Sequence, residues 1–181
     1  MNKETNLPRV GVFVCHCGAN IGGVIDIPSV VECSKMMPGV VYADAYLYAC
    51  SSNDLDRMKR AIKENKLDGV VVAACTPRTY EQLFQSAIEE AGLNKYTFEM
   101  ANIREQCSWV HLDEPEAATE KAKTLVRMAV AKVLLLQPRD EPEVEIKPIP
   151  LVIGGGIAGL TSALSLANQG FQVHLVEKQH E

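Results

Sequence analysis

The chain has 181 residues, enough for one good core or for one domain plus a piece of another. A net charge of −5 with no block of Lys or Arg argues against a nucleic-acid partner, whose phosphates require a basic face. No apolar run reaches the roughly 18 residues of a membrane helix. The polar start, Met1 to Pro8, lacks the apolar stretch of a secretory signal, so a cytoplasmic protein is expected. In that compartment cysteines serve metal ligation or redox work more often than disulfides.

Taken in chain order, Arg9 to Val14 reads as a first strand, followed by a loop marked by Gly18, Gly22 and Gly23. Asp26-Ile-Pro-Ser opens a helix with Val30, Val31 and Met37 on its inner face, and Pro38-Gly39 ends it. Val40 to Tyr48 is a second strand, with Cys50 just beyond it. Ser51 to Asp54 is a run of capping residues before a helix that sets Leu55, Met58 and Ile62 on one face. Leu67 to Ala74 holds the continuous apolar run of a strand covered on both faces, closed by Cys75. After Pro77 a helix carries Tyr80, Leu83, Phe84, Ala87, Ile88 and Ala91 inward, and Gly92 stops it. Tyr96 to Met100 is a weaker strand, leading to a loop with Cys107 and Trp109. Asp113-Glu-Pro115 starts a long helix buried through Ala122, Leu125, Val126, Ala129, Val130 and Val133.

Strands alternating with helices predict an α/β fold, a mostly parallel sheet flanked by helices. Gln137 to Pro150, with four prolines, reads as a linker. The expected organisation is an α/β domain over 1–140, a linker over 141–150, and the first βαβ unit of a Rossmann-type domain over 151–181.

In parallel sheets, ligands collect outside the carboxyl ends of the strands. Cys15, Cys17, Cys50 and Cys75 all fall there. Two cysteines two apart in an extended segment face the same side, so Cys15 and Cys17 are expected to share one centre. Cys50 and Cys75 each precede a helix start, where the dipole favours a thiolate. Cys107 is a fifth, reserve candidate. Cys33, inside a helix, reads as a small buried apolar residue, and His16 as structural. An all-thiolate set suits an iron–sulfur cluster or zinc. A structural zinc in a docking module and a Cys15/Cys17 redox pair in a thiol–disulfide flavoenzyme remain as alternatives.

At the other end, Leu151 to Ile153 is a strand running into Gly154, Gly156 and Gly159, the G-x-G-x-x-G pattern of a phosphate-binding turn. A helix from Ile157 to Asn168, a strand from Gln172 to Val176 and Glu177 at its end complete the dinucleotide signature. Glu177 is placed to bind the ribose hydroxyls.

The segments Gly11-Val-Phe-Val-Cys-His-Cys-Gly-Ala-Asn-Ile21, Val70-Val-Val-Ala-Ala-Cys-Thr-Pro-Arg78, Ala101-Asn-Ile-Arg-Glu-Gln-Cys-Ser-Trp-Val-His111 and Val152-Ile-Gly-Gly-Gly-Ile-Ala-Gly159 resemble the N-terminal part of the heterodisulfide reductase A subunit. The resemblance covers nearly the whole chain. It implies an N-terminal domain with a [4Fe-4S] cluster and an FAD domain related to thioredoxin reductase. It also implies cytoplasmic complexes, in anaerobic metabolism, that bifurcate electrons at the flavin. The implied partners are ferredoxin, a disulfide-reducing subunit, an iron–sulfur subunit, and a hydrogenase or formate dehydrogenase linker. Two departures are visible. Most of the flavin domain and the family's ferredoxin-like inserts lie outside this sequence, so either a truncated product or a second polypeptide that completes the domain is expected. Cys75 is followed by Thr-Pro-Arg-Thr-Tyr where the family more often has Ser-Pro-Arg-x-His. Arg78, Arg104 and Trp109 match the family and read as loop-ordering groups or a core aromatic.

Overall fold

A computed structural model describes residues 7–179. The polar stretch behind the no-signal expectation falls mostly outside them. The chain divides into two compact units, Met1–Arg139 and Asp140–Glu181.

In the first unit four parallel strands form one sheet: β1 (Val10–Cys15), β2 (Val40–Tyr46), β3 (Gly69–Ala74) and β4 (Phe98–Asn102), in the spatial order β2-β1-β3-β4. The helices are α1 (Ile27–Lys35), α2 (Ser52–Glu64), α3 (Pro77–Glu90) and α4 (Pro115–Val133). The strands β1 and β3 are buried at every position, because helices cover both faces of the sheet. Side-chain alternation sorts two cores. Val10, Val12, Val14, Val71 and Ala73 pack with α1 and α4, whereas Phe13, Cys15, Tyr46, Val70, Val72 and Ala74 pack with α2 and α3.

The sequence positions the caps well. Asp26 accepts the N–H of Ser29 at the start of α1, and Pro28 occupies the first turn, where its missing N–H costs nothing. At the start of α2, Ser51 accepts the N–H of Asp54, and Asp54 in turn accepts the N–H of Tyr48. These two bonds fix the turn carrying Cys50.

Element ends shift by a few residues. The second strand stops at Tyr46, because residues 47–50 form turns that feed the α2 cap. The fourth strand runs Phe98–Asn102, pairing with Val70 to Ala74 of β3. Leu83, expected inside, is on the exposed flank of α3. After β4 the expected loop is a short π-helical turn, Arg104–Ser108. Its wide hydrogen bonds run from Ser108 N–H to Ile103 C=O (3.1 Å) and from Trp109 N–H to Arg104 C=O (3.0 Å). The Asn102 side chain caps it by accepting the N–H groups of Arg104 and Glu105.

The second unit begins with the extended segment from Asp140. It then forms β5 (Leu151–Ile153), α5 (Ile157–Asn168) and β6 (His174–Val176), a parallel two-stranded βαβ unit. The last strand is shorter than the Gln172–Val176 expected. None of the described residues of α5 is buried, and Ile157 is 84% exposed. No helix among the described residues is long and apolar enough to cross a membrane.

Candidate metal centre and dinucleotide turn

The order β2-β1-β3-β4 changes direction at β1. The chain leaves β1 to one side, through α1 to β2, and returns across to β3 through α2. The carboxyl ends of β1 and β3 are therefore a topological switch point, where diverging loops leave a crevice. Cys15 ends β1 and Cys75 follows β3 at that crevice, while Cys50 arrives from the turn after β2.

A small, largely enclosed cavity of about 50 Å³ sits there. It is lined by Cys15, Cys17, Cys50 and Cys75, together with Tyr48, Ala49, Ala74, Tyr80, Phe84 and Arg104. The four thiols come from three separate segments, and among the described residues no carboxylate or imidazole shares the wall. Cys15 accepts the backbone N–H of Ala49 at 3.4 Å. Arg104 directs Nη1 toward Cys17 Sγ at 3.9 Å.

Cys17 reaches the cavity differently from the strand-alternation expectation. It has left the strand and adopts left-handed backbone angles, φ 47° and ψ 38°, followed by Gly18 at φ 56°. The turn is held because His16 N–H and Cys17 N–H donate to Tyr46 C=O and Leu47 C=O, at 2.7 and 2.9 Å. Two consecutive left-handed residues turn the chain back, and a side chain at Cys17 then faces the crevice. His16 points elsewhere, its ring against Gly22, where any Cβ would clash.

Burial dominates the titration of two of these thiols, Cys15 and Cys75. Burial pushes the Cys15 thiol up to about 11, only partly opposed by the Ala49 N–H. Cys75 is also raised, first by burial, against the lowering influence of the Arg104 guanidinium. Cys75 does precede a helix start, as expected, since Thr76 caps α3, yet burial leaves its thiol raised rather than lowered. Ligation by these sulfurs would thus release protons.

The donor set fits an iron–sulfur group: thiols alone, a lining otherwise largely apolar or aromatic, and N–H groups aimed at sulfur. Among the described residues, no three His, Cys, Asp or Glu side chains close on a point suited to a single ion.

Cys107 is elsewhere. It is fully buried in the core under α1 and α4, and its Sγ donates to Ala118 C=O at 2.9 Å. Cys33 sits half-buried against that same core. Trp109 is no core aromatic: it is 47% exposed, with the Arg104 guanidinium 4.9 Å over its ring. Arg78 is exposed in the first turn of α3. Arg104 is the cavity residue that residue-type reasoning undervalued; its place just beyond the end of β4 was the available signal.

In the second unit, Gly154 takes φ 108° directly after β5, a conformation that strongly favours glycine. Gly156 is the N-cap of α5, with no side chain over the first N–H groups. At Gly159 an added Cβ would collide with Gly154 C=O, so only glycine lets helix and turn approach this closely. Glu177, at the end of β6, accepts Gly155 N–H at 2.5 Å as well as the N–H groups of Lys178 and Gln179. These bonds, Gly155 first, hold its carboxyl below the usual range. The turn thus leaves backbone donors at a helix N-terminus, with a carboxylate on the neighbouring strand end.

Strand, glycine turn, helix and terminal acid define the start of a Rossmann-type FAD-binding domain. In agreement, residues 151–181 match the family described as FAD dependent oxidoreductase. Over nearly its whole length the chain is a homologue of the N-terminal part of the heterodisulfide reductase A subunit. It is 55% identical over 95% of its length to the second iron–sulfur A subunit of the CoB–CoM heterodisulfide reductase of Methanopyrus kandleri, covering 26% of that protein. It is 53% identical over 98% of its length to the A subunit of the H(2):CoB-CoM heterodisulfide,ferredoxin reductase of Methanothermobacter marburgensis, covering 27%. A protein of Archaeoglobus profundus described as like the heterodisulfide reductase A subunit is 53% identical over 94% of the chain, covering 24%. The chain therefore spans about a quarter of the length of these relatives.

Proposed function

We propose that this polypeptide is the electron-carrying N-terminal region of a heterodisulfide reductase-like A subunit. In this reading, 1–140 is an iron–sulfur domain, 141–150 a linker and 151–181 the first part of an FAD domain. Cys15, Cys17, Cys50 and Cys75 hold a [4Fe-4S] cluster. Gly154, Gly156, Gly159 and Glu177 hold the ADP half of FAD. The observation that carries the proposal is the meeting of four thiols from three strand ends in one enclosed cavity at the switch point.

When bound, such a cluster supplies reversible one-electron transfer. The chain's own residues do the rest. Ala49 N–H and Arg104 aim hydrogen at Cys15 and Cys17 sulfur, which eases negative charge there. Tyr80, Phe84, Ala49 and Ala74 wall out water. In the second unit, backbone N–H groups at the start of α5 face the pyrophosphate position, and Glu177 is placed for the ribose hydroxyls. The names of the relatives support a place in a multi-subunit reductase. In this reading the assembly is cytoplasmic, exchanges electrons with ferredoxin and bifurcates them at a flavin. Its further partners are a disulfide-reducing subunit, an iron–sulfur subunit, and a hydrogenase or formate dehydrogenase linker.

The test is metal analysis of anaerobically purified protein. About four irons per chain are expected, with broad charge-transfer absorption, as the cluster type requires. Zinc in place of iron would replace the reading with a structural docking module. Metal-free protein with a reversible Cys15–Cys17 disulfide would replace it with a thiol-exchange role.

A further inference from the structure

Among the described residues, Arg104 is the one cationic side chain lining the cysteine cavity, and its geometry is over-determined for a loop arginine. One edge of its guanidinium is occupied: Nε and Nη2 both donate to Glu105 Oε1, at 3.2 and 2.7 Å. The remaining nitrogen, Nη1, lies 3.9 Å from Cys17 Sγ. One face of the guanidinium rests on the Trp109 ring, 4.9 Å from its centroid. The backbone beneath is fixed by the π-helical turn and by Asn102 Oδ1, which accepts the N–H groups of Arg104 and Glu105 at 3.3 and 3.0 Å. A long side chain free in solvent gives up much rotamer entropy to be held this way, so the single orientation needs a return. The fork geometry supplies one: with Nε and Nη2 engaged by Glu105, Nη1 is left to face the sulfur.

We propose that Arg104 is a positioning residue whose guanidinium, braced by Glu105 and Trp109, raises the reduction potential of the cluster held by the neighbouring thiols. The inference rests on the function proposed above. Adding one electron to a thiolate-bound cluster makes it more negative. A nearby cation and an N–H directed at a ligand sulfur stabilise that reduced form. Arg104 itself neither gains nor loses an electron; the electron comes from the external donor and resides on the cluster. Glu105 works in the opposite sense. Its second oxygen, Oε2, is buried without a hydrogen-bond partner among the described residues, a negative group close to the same centre. The two neighbours in sequence are thus an opposed pair, and substituting each should move the potential in opposite directions.

The experiment is an EPR-monitored redox titration of the full chain, purified anaerobically, with iron content measured alongside. Arg104→Gln should keep its iron while the oxidised-to-reduced ratio at a fixed potential rises about tenfold, 59 mV downward for a one-electron couple. Glu105→Gln should shift the potential upward. Arg104→Lys keeps the charge but not the fork, and should fall between wild type and Arg104→Gln. A purely structural role would change iron content or stability without opposed shifts. Unchanged potentials in the iron-loaded variants, or shifts of the same sign, would overturn the proposal. Should Arg104→Gln fail to retain iron, the Glu105→Gln and Arg104→Lys titrations decide the matter. Unsubstituted protein that binds no iron would instead sink the underlying cluster assignment, a result distinct from an iron-loaded protein indifferent to Arg104.

Discussion

At the residue scale, chemistry depends on which sulfur faces which core. Cys75 and Cys107 are both buried thiols in strand-end segments, yet one lines the cavity and the other bonds Ala118 C=O on the opposite face of the sheet. Cys75→Ser should therefore strip most of the iron, whereas Cys107→Ser should retain it at some cost in stability. Iron content per chain after anaerobic purification distinguishes them, and the reverse pattern would refute the ligand set. Glu177 offers a pH test. Its folded pKa lies below the ordinary value, so its contribution is present above the unfolded pKa and disappears as pH falls through the folded one. As pH falls through that lowered pKa, the Gly155 amide should lose protection relative to its intrinsic exchange rate, as NMR would detect; unchanged protection would deny the carboxylate that role.

At the element scale, α3 is a wall as well as a packing helix. Phe84 is essentially fully buried and sits 6.3 Å from the Phe98 ring, while also lining the cysteine cavity. Phe84→Ala should cost about 3–5 kcal/mol, the usual penalty for deleting a buried aromatic. It should also let oxygen and water reach the thiols. Ser51→Ala removes a helix cap and should cost only about 1 kcal/mol. Urea unfolding at neutral pH ranks the two, and a larger loss at Ser51 would contradict the packing. Much at this scale was visible beforehand. The Val70-Val-Val72 run, the Ser51 cap and the apolar spacing of α4 each follow from local chemistry. The π-helical turn after β4 did not, because its wide hydrogen bonds depend on the Asn102 side chain and on packing beneath Ser108.

At the scale of the molecule, the first unit has two cores of its own, while no described residue in the helix of the second is fully buried. Residues 139–149 are exposed throughout. A glutamate-specific protease should cut at Glu143 and Glu145, leaving an N-terminal fragment that unfolds cooperatively and keeps its iron. Loss of cooperative unfolding after that cut would show that the first unit depends on the second. The cavity itself belongs to this scale. It exists because β1 and β3 are neighbours whose outgoing loops part to opposite faces.

Sequence alone determined the alternation of strands and helices, the caps, the glycine turn and the cysteines at strand ends, since each is written in side-chain size, periodicity and backbone freedom within a few residues. Only the tertiary structure decided that Cys17 reaches the cavity through a left-handed turn, that Cys107 faces the wrong core, and that Arg104 leans onto Cys17. Those facts depend on strand order and on which face each loop leaves by, and such long-range choices have no local signature.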